Sequence, residues 1–144
     1  MIVLDRIERE FVVSVWPLLE PLFRKANEKA PSDLTPDLIL DRASDGRLTL
    51  WAIYNHETPT DLLAAVATGI HTDGMVCEIF ALGGKRMTEW LGLRLAELEG
   101  LARRQGVIRM RLEGRRGWAK VLTGYTVIAE MNDVPRRVRL EKDL

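Results

Sequence analysis

A chain of 144 residues with 47% hydrophobic side chains can bury one sizeable core and is too short for two ordinary domains, so a single domain over residues 1–144 is expected. Lysine plus arginine and aspartate plus glutamate each number 21, so no net field drives the whole molecule onto nucleic acid or an anionic membrane. One cysteine excludes an intramolecular disulfide, and two histidines beside it leave too few soft ligands for a structural zinc site. No stretch reaches the roughly 18 to 20 apolar residues of a membrane helix, and no signal peptide is recognisable.

Met1-Ile2-Val3-Leu4 is apolar enough to pair as a short strand. From about Glu8 to Asn27, Phe11, Val15, Leu18, Leu19, Leu22, Phe23 and Ala26 recur at spacings of three and four, which predicts a helix. Pro17 and Pro21 fall inside it and predict a kink near Trp16 or a restart with Pro17 in the first turn. A second, short helix is predicted from Thr35-Pro36-Asp37, with Thr35 as N-cap, ending by Asp45-Gly46. Alternation of Leu48, Leu50, Ala52 and Tyr54 with Thr49, Trp51, Ile53 and Asn55 then predicts a strand. Two further strands, Asp61 to His71 and Met75 to Leu82, flank Thr72-Asp73-Gly74, whose Asp-Gly pair signals a hairpin. A long helix is predicted from Lys85 to Gln105, closed by Gly106 after Arg103 and Arg104. Val107 to Glu113 reads as a strand, Arg116 to Leu122 as a short helix, and Tyr125 to Met131 as a final strand before a basic tail from about residue 134. The result is an α/β mixed sheet with helices on both faces, in which three antiparallel strands lead into one βαβ unit.

The even charge hides a skew. Residues 1–72 carry 7 basic and 11 acidic side chains, net −4, and residues 73–144 carry 14 and 10, net +4. From Arg103 to Lys120, Arg103, Arg104, Arg109, Arg111, Arg115, Arg116 and Lys120 face only Glu113. An anionic ligand is expected to meet this half, although such a run more often marks a solvated face.

In the hairpin, a two-residue Asp73-Gly74 turn puts His71 opposite Val76 and Gly69 opposite Glu78. His71 and Glu78 then share one sheet face diagonally, and Cys77 points to the other as a small core residue. That arrangement disfavours a Cys77–His71 nucleophile pair. On the long helix, Met87, Trp90, Leu91, Leu95, Leu98, Leu101 and Ala102 form an inward stripe about 140° wide with Arg94 near its middle. A buried guanidinium needs a partner, and Glu78 on the covered strand is the expected one. Gly83-Gly84-Lys85-Arg86, after the same strand, offers adjacent glycines and two cations that suit an anion nest, and equally suit a tight strand-to-helix turn.

The element order resembles the GCN5-related N-acetyltransferase (GNAT) fold. More specifically, Gly83-Gly84-Lys85-x-x-x-x-Trp90, Leu98-Glu99-x-x-Ala102-Arg103-x-x-Gly106 and Gly114-Arg115-Arg116-Gly117-Trp118-x-x-Val121-Leu122 resemble a group of small tailed-phage proteins with this fold. Val15-Trp16-Pro17-Leu18-Leu19 and Leu50-Trp51 add to the likeness, which spans about residues 12–140. It implies a phage origin and a role in virion assembly or infection through contacts with other phage or virion proteins, with little or no catalysis and no cofactor. The expected setting is the host cytoplasm or the virion; membrane and nucleic acid are not expected partners. The alternative is an N-acetyltransferase moving an acetyl group from acetyl-CoA to an amine. In that case Gly83, Gly84, Lys85 and Arg86 would hold the pyrophosphate, and Glu78 would be the base. The family's phosphate signature, Gln or Arg followed after two residues by Gly-x-Gly or Gly-x-Ala, is absent. So is the tyrosine that some members carry on the short helix, where this chain has Trp118 and Lys120. Arg115 and Arg116, at the carboxyl end of their strand, are candidates for contacting an anion or a partner.

Overall fold

In the computed structural model, which describes residues 1–131 and 137–144, the first strand, β1 (Ile2–Ile7), is longer than its apolar start suggests. It lies antiparallel to β2 (Thr49–Asn55), pairing Ile2 with Asn55 and Ile7 with Leu50. Between them run α1 (Val12–Lys29), entered through a 3-10 turn over Arg9–Phe11, and α2 (Pro36–Ser44). Thr35 caps α2 by accepting from the Leu38 N–H, with Pro36 at the first position, as the sequence predicts. Both prolines of α1 lie within one uninterrupted helix. The carbonyls of Val13 and Pro17, which lose their helical donors to Pro17 and Pro21, belong to exposed residues, so water can satisfy them.

Strands β3 (Leu62–Ile70) and β4 (Val76–Gly84) complete the antiparallel series. Next come a 3-10 turn over Met87–Glu89, α3 (Leu91–Arg104), β5 (Arg109–Arg115) parallel to β4, the single turn α4 (Trp118–Val121), and β6 (Thr126–Met131). The helix predicted from Lys85 starts six residues later. Gly83 and Gly84 still pair with β3, and Arg86 is left-handed at φ 56°, which a continuous helix forbids.

The basic tail is corrected from residue 137 onward; residues 134–136 lie outside the described residues. Arg137–Asp143 forms β7, which inserts between β5 and β6 to give the order β1-β2-β3-β4-β5-β7-β6. The reason is its alternation. Val138 and Leu140 point into the core, while Arg137, Arg139, Glu141 and Asp143 stand opposite Arg115, Glu113, Arg111 and Arg109 of β5.

Two cores sandwich the sheet. Leu19 and Phe23 of α1, with Ile39 and Ala43 of α2, cover Leu50, Ala52, Ala65 and Ala67 on one face. Leu91, Leu98 and Ala102 of α3, with Trp118, cover Ile53, Val66, Cys77, Ile79, Met110, Leu112, Val138 and Leu140 on the other. Since Leu140 is fully buried between β5 and β6, Leu140→Ala should cost about 2 to 5 kcal/mol in urea unfolding. A solvated tail would lose under about 0.5 kcal/mol from the same change.

Candidate functional site

Two neighbouring strands part here. Strand β4 pairs with β5 only from Val76–Arg109 to Ile79–Leu112. On the β3 side, Thr68 stands opposite Ile79 and Ala67 opposite Ala81, which leaves Phe80 as an extra residue in a bulge. Past that point Leu82 and Gly114 line an opening shared by Ile79, Leu112, Trp118 and Arg137. On the α1 side it adjoins a cleft of about 600 Å³, bordered by Ser32, Asp33, Arg42, Glu78, Phe80, Glu113 and Arg137.

Glu78 sits at the mouth of this cleft. The predicted register holds: Gly69 lies opposite Glu78, Ile70 opposite Cys77, and the His71 N–H donates to the Val76 carbonyl at 2.8 Å. His71 Nε2 and Glu78 Oε1 share a hydrogen bond of 2.9 Å, with the carboxylate side chain 12% and the imidazole 33% exposed. Gly69 gives Glu78 no side chain to pack against and leaves space for the Phe80 ring. Cys77 faces α3 in the core, where burial, reinforced by the Glu78 charge, pushes its thiol up to about 11. A thiol held protonated in this way is a packing group, as the sequence reading expects.

The Glu78–Arg94 pair does not form. Alternation along β4 sends Glu78 to the α1 face, whereas Arg94 lies on the α3 face. There Arg94 Nη1 donates to the Ile2 carbonyl at 2.5 Å, and Nε lies 3.5 Å from Glu97 Oε1. A backbone carbonyl of β1 supplies the partner that its half-buried charge needs.

The glycine-lysine-arginine segment is built differently from an anion nest. A Cβ on Gly83 would collide with the Leu22 carbonyl of α1, and one on Gly84 would stand 2.7 Å from the Leu63 carbonyl. These glycines let a helix backbone and Trp90 approach the sheet. The Lys85 N–H donates to Leu63 O at 2.8 Å, and its carbonyl accepts from the Trp90 indole at 2.8 Å. Lys85 Nζ lies 2.7 Å from Asp61, whose carboxyl it holds below the usual range by that hydrogen bond. The Arg86 guanidinium grips Glu89 at 2.5 and 2.8 Å and lowers that carboxyl in the same way. Counting from Arg86, Glu89 and Leu91 stand where the acetyltransferase signature has its two small residues. The entrance of α3 therefore carries its own carboxylate, and the donors present do not fit a pyrophosphate there.

Arg109, Arg111, Arg115 and Arg116 of the basic run are likewise engaged within the protein. Arg109 pairs with Asp143 at 3.0 Å, Arg111 with Glu141 at 2.7 Å and Arg116 with Glu130 at 3.0 Å; Arg139 of β7 pairs with Glu113. Arg115 stacks over the buried Trp118 ring, 5.1 Å from its centroid. Tyr125 is likewise engaged: its hydroxyl donates to the buried Glu99 at 2.8 Å, and Glu99 also accepts from Lys142 at 2.9 Å. Burial, followed by the Glu99 charge, raises the Tyr125 phenol.

Sequence reasoning misses Arg137. Only 8% exposed, it donates from Nη1 to the Ala30 carbonyl at 2.6 Å and from Nη2 to the Glu113 carbonyl at 3.2 Å, joining the end of α1 to β5 beside the cleft. The period-two pattern of Arg137-Val138-Arg139-Leu140 is the signal that could have found it. Arg42, half-buried at the cleft and without a carboxylate partner among the described residues, gives no such signal.

Because Glu78 and Arg94 sit on opposite faces of the sheet, Glu78→Gln and Arg94→Met should have additive effects on stability, within about 0.5 kcal/mol, in a double-mutant cycle in urea.

The sequence matches no protein-family profile and no curated protein. Solved structures do match. An aminoglycoside 6'-acetyltransferase type Ii shares 14% identity over 98% of this chain and 96% of its own, with a TM-score of 0.69. GCN5 of Tetrahymena shares 12% over 98% and 95%, at 0.72. The PaiA N-acetyltransferase of Thermoplasma acidophilum, solved in complex with coenzyme A, shares 14% over 100% and 99%, at 0.66. The chain therefore has the fold of the GCN5-related N-acetyltransferases.

Proposed function

We propose that this chain transfers an acyl group from a coenzyme A thioester to an amine, with Glu78 as the base. The observation that carries the reading is Glu78 itself, a largely buried carboxylate at the mouth of a polar cleft where β4 and β5 part. A thioester carbonyl needs an uncharged amine nitrogen as its attacker. A carboxylate within reach of that nitrogen takes its proton as the C–N bond forms and the C–S bond breaks. Neither Tyr125, held by Glu99, nor any residue of α4 offers a phenol to the departing sulfur. The likeness to acetyltransferase structures supports the same reading at the level of the fold.

One observation favours a second reading. The Arg86–Glu89 pair just before α3 takes the place of the phosphate contacts, which suits a non-catalytic fold that works through contacts with other proteins, the virion role being what the sequence resemblance alone implies. Calorimetry with acetyl-CoA separates the two. Acyl transfer needs measurable binding, expected with a Kd above about 1 µM, equivalent to roughly −8 kcal/mol, because the diphosphate lacks its usual donors. No heat at millimolar ligand would sink the acyltransferase proposal. With binding present, Glu78→Gln should lower transfer to a panel of amines by about 10² to 10⁴.

The loop makes its own prediction. Glu89→Gly removes the carboxylate from the α3 entrance and frees Arg86, so it should tighten acetyl-CoA binding by about threefold to thirtyfold. Unchanged affinity would place the diphosphate elsewhere.

A further inference from the structure

We infer that His71 is the positioning residue of the Glu78 base, holding one carboxylate oxygen so that the other faces the amine; the inference rests on the acyl-transfer reading above. An ionised carboxylate can only accept hydrogen bonds. The 2.9 Å contact is therefore His71 Nε2–H donating to Glu78 Oε1, which leaves Nδ1 as the bare nitrogen of the neutral ring. This bond fixes the rotation of the carboxylate. Glu78 Oε2 makes no hydrogen bond to a described residue, and Glu78 borders the cleft, so Oε2 is the oxygen left for the incoming amine. The amine's proton goes to Oε2, and the imidazole keeps its own proton throughout. His71 touches no substrate.

The other neighbours of Glu78 are committed elsewhere. Gly69, directly opposite on β3, has no side chain, and the Phe80 ring and Leu48 fill the space beside it. Arg111, level with Glu78 on β5, is bound to Glu141 at 2.7 Å, and Arg139 of β7 is bound to Glu113. Among the described residues, the imidazole of His71 is the group hydrogen-bonded to this carboxylate.

His71 is in turn held by its own backbone. Its N–H donates to the Val76 carbonyl and its carbonyl accepts from the Gly74 N–H, both at 2.8 Å, while Asp73 Oδ1 accepts from the Met75 N–H at 2.9 Å in the same turn. The core blocks a slip of one residue, because it would turn Cys77 out of the α3 layer and Glu78 into it. A ring anchored in this way sets the base before the amine arrives. At such a point a displacement of about 1 Å can cost about 10²-fold in rate.

Histidine Nε2 and the amide nitrogen of glutamine lie the same number of bonds from Cα, so His71→Gln keeps the donor, whereas His71→Met removes it at similar size. His71→Met should lower kcat for amine transfer by about tenfold to 10²-fold, with KM for the amine within about twofold, and His71→Gln should stay within about threefold of the parent chain. In the ligand-free protein at alkaline pH, ¹⁵N NMR of the two histidines, His56 and His71, gives a readout independent of turnover. His71 should be protonated at Nε2 and bare at Nδ1, and Glu78→Ala should move its Nε2 resonance while leaving His56 in place. Full kcat in His71→Met, an equal loss of kcat in His71→Gln and His71→Met, a proton on Nδ1, or an unmoved Nε2 resonance would each overturn the positioning role. If Glu78→Gln keeps full transfer, or the parent chain transfers nothing, the base reading fails and the positioning role falls with it. An inactive Glu78→Gln beside a fully active His71→Met removes the positioning role alone.

Discussion

Strand β4 has two neighbours that it cannot serve equally. It pairs with β3 along its whole length but with β5 over only four residues, and the extra residue at Phe80 reconciles the two. A bulge bends its own strand and increases the local twist, so the far half of β4 leans away from β5. It also changes which side chains face which layer. Cys77, Ile79 and Leu82 point to α3, while Glu78 and then both Phe80 and Ala81 serve the α1 side. The same diversion presses Gly83 against the backbone of α1. Cleft and helix packing are thus one consequence of a single inserted residue.

Charge follows a similar economy of local pairing. Arg109 and Arg111 of β5 find carboxylates one strand away on β7, and Arg139 of β7 finds Glu113 on β5. Exposed or half-exposed pairs of this kind contribute little stability individually, but they offset part of the positive field that the linear sequence suggests. At the cleft, Arg42 has no carboxylate partner among the described residues and Arg137 is bound to backbone carbonyls.

The features legible in the sequence are those set by local periodicity. The hairpin register, the caps of α2, the inward Cys77 and the shared face of His71 and Glu78 all follow from two-residue alternation and turn chemistry. What could not be read depends on residues far apart in the chain. Nothing near Arg94 shows that the carbonyl of Ile2 will reach it, and nothing near Gly83 shows that Leu22 will press on it. The bulge at Phe80 is equally silent, because its residue type fits a regular strand as well as an irregular one. The strand at residues 137–143 is hidden for another reason. A strand in which every other residue is charged looks solvated until the partner charges of β5 are known.

The place of β7 bears on how the chain acquires its structure. Strands β5 and β6 are consecutive in sequence but separated in the sheet by a strand made after both. On a ribosome, everything up to β6 emerges while the groove between them stands empty. Until residues 137–143 arrive, β5 has an unsatisfied outer edge, and direct annealing of β6 to β5 is a competing nascent state. Closure of the sheet has to wait for that late strand, which makes the contacts of greatest sequence separation, such as Arg137 with Ala30, among the last to form.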